Sequence, residues 1–223
     1  ASKKHNFTDR VQGIVGDALK LPFEKDGCDL IWSEGMIDSL GFEKTLSYWN
    51  GFLKTDGYIA VTSPSWLTTE KPAEIEKFWI DAGSGLYSIE SNIESMQKSG
   101  YSFVAAFTLP EECWIQNYFI PRQATEKELL IKYPENKTVE DYVHSMKYEV
   151  DLYEKHKQHY GYVFYIGKKM GEKLIRKYQT LPVRFYAIKL KTGSESMTYV
   201  DSIHVIYVFK HELLGVYLLC LKT

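Results

Sequence analysis

The sequence predicts an α/β fold built on a sheet with parallel strands. Short apolar runs of strand type recur early in the chain, and a helical pattern separates the second run from the third. Strands that alternate with helices at short spacing are typical of sheets with parallel members. The rest of the chain adds further helix and strand patterns, with no internal repeat and no low-complexity tract.

The early elements follow from local patterns. Three apolar runs predict short strands, namely Val11–Val15, Asp29–Trp32 and Tyr58–Thr62. Gly16-Asp17 ends the first run, and Ser33-Glu34-Gly35 ends the second. Apolar residues at helical spacing predict a helix over Phe42–Leu53. Thr55-Asp56-Gly57 predicts a turn after this helix.

The later elements are predicted by the same signals. Four segments have helical patterns: Pro72–Asp81, Ser88–Ser99, Glu126–Lys132 and Thr138–His159. We expect Thr138 to be the N-cap of the longest helix. We expect Gly100 to end the Ser88–Ser99 helix. Two segments predict strands: Tyr101–Leu109 and Tyr160–Gly167. Beyond Met170 the patterns predict a helix over Glu172–Gln179, strands over Pro182–Lys191 and Tyr199–Phe209, and either structure over Leu213–Leu221.

Composition excludes several classes of protein. The chain has 223 residues, 44% of them hydrophobic, which is ordinary for a globular domain and rules out a disordered chain. With 27 basic and 29 acidic residues, nothing indicates nucleic-acid binding. Lys210, His211 and Glu212 interrupt the longest apolar stretch, so no membrane span is expected. Three widely spaced cysteines form no disulfide framework and favour a reducing cytoplasm.

Charge divides the chain near residue 170. Eight basic and only four acidic residues follow residue 171, whereas the preceding part is acidic overall. A shift of this kind often marks a boundary. We therefore expect one domain over residues 1–170 and a basic extension of uncertain structure over residues 171–223.

Polar residues follow the first two predicted strands at the positions where open α/β sheets bind ligands. Asp17 comes directly after the first strand, and Ser33, Glu34 and Gly35 come directly after the second. A carboxylate there can accept a hydrogen bond from an exocyclic amine, and a neighbouring N–H can serve a ring nitrogen. The alternative for Asp17 is a turn residue that caps local amides.

Several motifs together resemble the class I S-adenosylmethionine-dependent methyltransferases, and most closely the small-molecule enzymes of the ubiquinone and menaquinone type. The resemblance covers roughly residues 7–170. Its motifs are Gly16-Asp17-Ala18 with Leu21-Pro22-Phe23, Cys28–Trp32, Leu53–Val61 and Tyr160–Gly167. The resemblance implies a partial Rossmann-like sheet made of the family's later strands, S-adenosyl-L-methionine as cofactor and a small-molecule methyl acceptor.

The resemblance also implies roles for individual residues. Asp17 would accept the adenine amino group, Ala18 would offer its backbone N–H, and Leu19 would pack near the adenine ring. Ser33, Glu34 and Gly35 would lie beside the methionine part of the cofactor. Candidates for a wall on the substrate side are aromatic: Trp66, Trp114, Tyr118 and Tyr160. For each of these aromatics the alternative is ordinary core packing.

The chain departs from the family before Val11. Family members open with a strand, a glycine-rich turn and a second strand that ends in the acidic residue holding the ribose hydroxyls. Residues 1–10 cannot contain these elements, and Gly83-Ser84-Gly85 follows a helical segment instead of a strand. The domain is therefore expected to be N-terminally incomplete, with cofactor binding and methyl transfer impaired.

No catalytic group follows firmly from the sequence. His156 and His159 lie three residues apart on the predicted long helix, and His159 leads into Tyr160. His159 and Tyr160 are the candidates for a base or proton donor. A solvated helix end is the alternative, and no further ligand completes a metal site, so none is expected.

Two other interpretations stay open at this point. The chain could be a non-catalytic methyltransferase remnant that acts as an interaction module, because an uncovered strand edge allows pairing with another chain. The same edge would allow a homo-oligomer. The sequence could also be part of a longer protein, and residues 171–223 could then lie outside the fold.

Overall fold

The computed structural model describes residues 11–171 and two strands near the end of the chain, 204–209 and 217–222. Eight strands lie in these parts: β1 (Val11–Val15), β2 (Cys28–Glu34), β3 (Leu53–Trp66), β4 (Tyr87–Ser88), β5 (Tyr101–Thr108), β6 (Tyr160–Lys169), β7 (His204–Phe209) and β8 (Tyr217–Lys222). The helices are α1 (Ile37–Leu40), α2 (Phe42–Asn50), α3 (Ala73–Asp81), α4 (Ile89–Lys98), α5 (Glu111–Trp114), α6 (Ile120–Lys132) and α7 (Lys137–His156). A π-helical turn, Ile115–Phe119, joins α5 to α6.

All eight strands belong to one sheet. Its order is β1-β7-β8-β2-β3-β6-β5, and β4 pairs with β3. β1 is parallel to β7 and β2 is parallel to β3, whereas β8 is antiparallel to both β7 and β2. It follows that β1, β7, β2 and β3 run in one direction and end at the same edge of the sheet. The predicted α/β class with parallel strands is confirmed.

The end of the chain contributes to the middle of this sheet. Val15 of β1 pairs with Phe209 of β7, and Glu34 of β2 pairs with Tyr217 of β8. The sequence does not decide between a helix and a strand for Leu213–Leu221. In the part of this segment that the structure describes, it is the strand β8. The predicted elements over residues 172–179 and 182–191 lie outside the described residues.

The predicted turn at Thr55-Asp56-Gly57 is wrong, because these residues lie within β3. The pairing of β2 with β3 shifts from Cys28–Leu53 to Leu30–Tyr58, so β3 has three extra residues there. Asp56 has a φ of 68°, in the left-handed region that Asp tolerates better than most residues. The Asp-Gly signal thus marks a bulge inside a strand instead of a boundary.

The helices predicted before residue 170 are present, but α2 ends at Asn50, and Leu53, predicted to close that helix, is the first residue of β3. The longest helix also has different ends. α7 has Asn136 as its N-cap instead of Thr138, and the Asn136 side chain accepts a hydrogen bond from Val139 N at 3.3 Å. The helix ends at His156, so His159 follows the helix and does not lie on it. Asn and Thr are both good caps, and two candidates this close cannot be distinguished by type alone.

Two compact units make up the described chain. The sheet unit contains residues 11–63, 87–107 and 163–171 with β7 and β8, and the helical unit contains residues 64–86 and 108–162. Fully buried residues of the sheet unit include Ile31, Leu46, Trp49, Ile59 and Met96. The core of the helical unit is rich in aromatics: Trp66, Ile75, Trp79, Trp114, Phe119, Leu152, Tyr153 and Tyr160.

The structure gives the bonding state of two of the three cysteines, Cys28 and Cys113. Cys28 is fully buried at the start of β2 and takes part in a disulfide bond. The sequence predicts no disulfide framework, and a bond at this one residue is not such a framework, although the bond itself was not predicted. Cys113 is a free thiol.

Candidate functional site

The turn after β1 is built around Asp17. Its Oδ1 accepts a hydrogen bond from Leu19 N at 2.9 Å, and its backbone carbonyl accepts one from Lys20 N at 2.8 Å. The side chain therefore caps a local amide, as the turn interpretation expected. The same bond fixes the direction of a half-buried carboxylate at the carboxyl end of a strand, where a ligand of the sheet would bind.

Helix α2 holds this turn through two neighbouring aromatic residues. Trp49 Nε1 donates to the carbonyl of Ala18 at 2.9 Å, and both residues are buried. Tyr48 Oη accepts a hydrogen bond from Leu21 N at 2.9 Å. In the helical spacing that predicts α2, Trp49 is only one of the apolar positions. A buried indole N–H needs an acceptor, and this was the signal that could have indicated a polar role.

β2 extends two residues further than predicted, so Ser33 and Glu34 form the end of the strand instead of following it. Three features lie at this end. Ser33 is fully buried, and its Oγ has no hydrogen-bond partner in the described part of the chain. Glu34 is exposed and accepts a hydrogen bond from Trp32 Nε1 at 2.6 Å. Gly35 has a φ of 63°, and a Cβ built on it would meet no atom within 4 Å. The backbone at Gly35 therefore borders open space in a conformation that favours glycine.

Thr62 fixes the backbone of this segment from the neighbouring strand. Its Oγ1 accepts a hydrogen bond from Gly35 N at 2.9 Å, and the threonine is buried. No motif of the sequence marks Thr62 as a functional residue. A hydroxyl within an otherwise apolar strand run was the available signal, because a buried hydroxyl is normally paired.

These two segments share one edge of the sheet without being adjacent. β7 and β8 lie between β1 and β2, so three strand spacings separate the Asp17 turn from Ser33. At about 4.8 Å per spacing this is about 14 Å. Only an elongated ligand would contact both segments at once.

The structure brings the predicted substrate-side aromatics together in the helical unit. Trp114 lies 6.3 Å from Tyr118 and 6.3 Å from Tyr160, measured between ring centroids. Trp66 belongs to the same cluster, and its Nε1 donates to Leu86 O at 3.1 Å. Trp66, Trp114 and Tyr160 are each less than 5% exposed, so in this structure they form core.

Tyr118 also belongs to a buried polar network. Arg122 Nη1 donates to Tyr118 Oη at 2.7 Å and to Glu149 Oε2, while its Nε donates to Glu126 at 2.8 Å. Burial, followed by the charge of Glu149, raises the pKa of Tyr118 to about 12. Burial likewise raises the pKa of Glu149 above its usual range, in spite of the neighbouring guanidinium. Tyr118 is therefore a neutral phenol at physiological pH.

The candidate catalytic residues have defined surroundings in the helical unit. His159 Nδ1 lies 3.2 Å from Thr68 Oγ1 and 3.9 Å from Glu70 Oε2, and the His159 carbonyl accepts from Leu67 N at 2.8 Å. Tyr160 is 1% exposed, and burial raises its pKa well above the usual range. The Tyr160 phenol therefore keeps its proton at neutral pH and cannot serve there as a base.

The described residues contain no group of three or more His, Cys, Asp or Glu side chains arranged to hold a metal ion. Within the same residues, no helix has the length and apolar character that crossing a membrane requires.

Comparisons with known proteins agree with the fold. No protein-family model and no curated protein matches the chain. The S-adenosylmethionine-dependent methyltransferase from Geobacter sulfurreducens, solved with S-adenosyl-L-homocysteine, matches with a TM-score of 0.63 and 17% identity, over 75% of this chain and 68% of that one. The corresponding enzyme from Thiobacillus denitrificans matches with a TM-score of 0.61 and 18% identity, over the same shares.

A third similar structure is the [4+2]-cyclase SpnF, with a TM-score of 0.59 and 17% identity over 76% of this chain. The chain spans 60% of the length of that cyclase. Identities this low concern the fold alone, and one fold can host different reactions. The chain therefore has the fold of the class I S-adenosylmethionine-dependent methyltransferases, as its motifs predicted.

Proposed function

We propose that this protein binds S-adenosyl-L-methionine and transfers its methyl group to a small-molecule acceptor. One observation carries the proposal: the Asp17 turn and the open backbone at Gly35 lie at the same edge of a methyltransferase-type sheet. An elongated cofactor with a nucleoside at one end and an amino acid at the other suits two polar segments about 14 Å apart.

The residues at this edge of the sheet would each contact a different part of the cofactor. Asp17 accepts the adenine amino group, Ala18 offers its backbone N–H to a ring nitrogen, and Leu19 packs against the ring. Ser33, Glu34 and Gly35 lie beside the methionine part. The unpartnered Ser33 Oγ supports this assignment, because a polar group of a ligand would satisfy it.

Methyl transfer requires few catalytic groups from the protein. The bound cofactor supplies an electrophilic methyl group on its sulfonium. The protein aligns the nucleophile with the breaking bond and excludes water. A base is needed only where the nucleophile must lose a proton first. His159 is the better of the two candidates for that task, and Tyr160 suits donation of a hydrogen bond.

The substrate-side role of Trp66, Trp114 and Tyr118 stays part of this proposal. Their support is that they belong to one aromatic cluster instead of being scattered. Flat or apolar acceptors pack well against aromatic rings. Their burial requires that the acceptor, once bound, replace ring-to-ring contacts.

Calorimetric titration with S-adenosyl-L-homocysteine tests cofactor binding directly. We expect the wild-type protein to bind and the Asp17→Asn variant to bind about tenfold or more weakly, because a hydrogen bond to a charged acceptor is lost. Asn keeps the oxygen that caps Leu19 N, so the turn should persist. Asp81→Asn, an exposed change in the helical unit, is the control and should bind as the wild type does.

The outcomes separate the interpretations. Absence of binding heat at millimolar ligand would reject the methyltransferase proposal and favour a non-catalytic interaction module. Wild-type binding with an unaffected Asp17→Asn variant would reject the role of Asp17 alone. Once binding is established, methyl-labelled cofactor incubated with a low-mass metabolite extract should transfer label to the small-molecule fraction.

A further inference from the structure

The backbone from Ala18 to Leu21 is held at both ends by consecutive residues of α2. Trp49 donates to the carbonyl at the first end, and the Tyr48 hydroxyl accepts from the N–H at the other, each at 2.9 Å. Asp17 lies directly before this stretch and bonds into it through Leu19 N. The direction of the Asp17 carboxylate therefore depends on where α2 places the stretch.

The support beneath these two bonds is rigid. Trp49 is fully buried, so its indole cannot move without disturbing the core. The Tyr48 ring packs edge-on against Phe52 at 5.1 Å, and Phe52 packs against Phe23 at 6.4 Å, beyond the far end of the stretch. Both hydrogen-bonding groups are thus fixed by packing before any ligand binds.

We propose that Trp49 and Tyr48 are positioning residues that set the nucleobase selectivity of the cofactor site, an inference that rests on the proposed function. A carboxylate attracts the amino group of adenine but repels the carbonyl that hypoxanthine has at the same ring position. This discrimination needs a carboxylate of fixed direction. Loosening the backbone that carries Asp17 should therefore reduce selectivity more than it reduces general affinity.

The test compares the affinities for S-adenosyl-L-homocysteine and its inosine analogue, S-inosyl-L-homocysteine, in wild-type and Trp49→Phe proteins. We expect the wild type to prefer the adenosine compound. In Trp49→Phe the dissociation constant of the inosine analogue divided by that of the adenosine compound should be roughly fivefold lower than in the wild type. Tyr48→Phe, which removes only the hydroxyl acceptor, should lower the same ratio in a protein whose core is unchanged. It keeps the proposal testable if Trp49→Phe does not fold.

Trp79→Phe is the matched control. Trp79 is 7% exposed in the helical unit, and its Nε1 has no hydrogen-bond partner in the described part of the chain. The same substitution there removes similar volume but no hydrogen bond to the turn, so the ratio should stay at the wild-type value.

If Trp49 had a purely structural role, Trp49→Phe would lower the unfolding midpoint and would weaken the binding of both ligands by the same factor. An unchanged ratio in folded Trp49→Phe and Tyr48→Phe would therefore overturn the positioning role while leaving the proposed function intact. Absence of binding by the wild type would instead reject the proposed function itself.

Discussion

Glu74, on α3, lies among three hydrogen-bond donors from α7. Lys155 Nζ is 2.6 Å away, His156 Nε2 is 3.0 Å away, and Tyr148 Oη is 3.3 Å away. The bond from Lys155, followed by that from His156, lowers the pKa of Glu74 to about 2 from an ordinary value of 4.5. Protonating this carboxylate weakens the contact between the two helices inside the helical unit.

This depressed pKa predicts an acid-dependent loss of stability. A carboxyl whose folded pKa lies below its unfolded pKa stabilises the protein above the unfolded value, here 4.5. That contribution is lost as the pH falls from about 4.5 to about 2. Comparing the Tm of the wild type and of Glu74→Gln should therefore give a difference that is largest above pH 5 and vanishes near pH 2.

Glu76→Gln is the control for Glu74, because Glu76 is an exposed carboxyl on the same helix. Its Tm should follow the wild-type curve throughout the acid range. A Tm difference between Glu74→Gln and the wild type that does not change with pH would show that ionisation of Glu74 contributes nothing to stability, and the explanation would be wrong.

At the level of secondary structure elements, Arg122 links α6 to α7. Its guanidinium is 9% exposed and pairs with Glu126 on its own helix and with Glu149 on α7, while Nη2 donates to Met146 O at 2.8 Å. Arg122→Met would leave two buried carboxylates without their partner. We expect the free energy of unfolding to fall by about 3 to 5 kcal/mol, measured by urea denaturation.

Two further variants separate pairing from packing. Lys137→Met breaks an exposed pair with Asp141 on α7 and should cost no more than about 0.5 kcal/mol. The double variant Arg122→Met/Glu149→Gln should recover part of the loss, because the remaining buried carboxyl charge is reduced. A double variant as unstable as the single one would contradict the importance of the unpaired charge.

The parts of the fold that the sequence predicts are those that depend on local sequence patterns. Apolar runs and helical spacing depend on residues next to each other, and these predicted β1, β2, α2 and α4 well. The bulge in β3 was missed because its Asp-Gly pair is also a turn signal, and only the register with β2 distinguishes the two. The choice of Asn136 over Thr138 as a cap depends on one hydrogen bond that residue type does not specify.

The same distinction applies to the candidate site. Asp17 and Gly35 follow predicted strands, and the motifs around them are contiguous in sequence. Trp49 and Thr62, which hold these two segments, bond to residues 31 and 27 positions away. Such contacts exist only after folding, and a single sequence contains no periodic signal for them.

Considered as a whole, the sheet depends on strands from opposite ends of the chain. Among the described strands, β1 pairs only with β7, and β8 joins β7 to β2. The Asp17 turn follows β1, so its place relative to Ser33 depends on the β7–β8 pair. The last 20 residues should therefore matter to the proposed cofactor site, although Asp17 and Ser33 lie far from them in sequence.

Removing residues 204–223 should unpair β1 while leaving the pairing of β2 with β3. Amides of Val11–Val15 would lose their protection in hydrogen exchange, because the strand opposite them is gone. Amides of Ile59–Val61 should stay protected, since these residues pair with Ile31–Ser33 of β2. The affinity for S-adenosyl-L-homocysteine should fall at least as far as in Asp17→Asn, because the truncation displaces the whole turn. Retained protection at Val11–Val15 together with wild-type affinity would show that β1 holds its place without β7, and the dependence of the site on the end of the chain would be refuted.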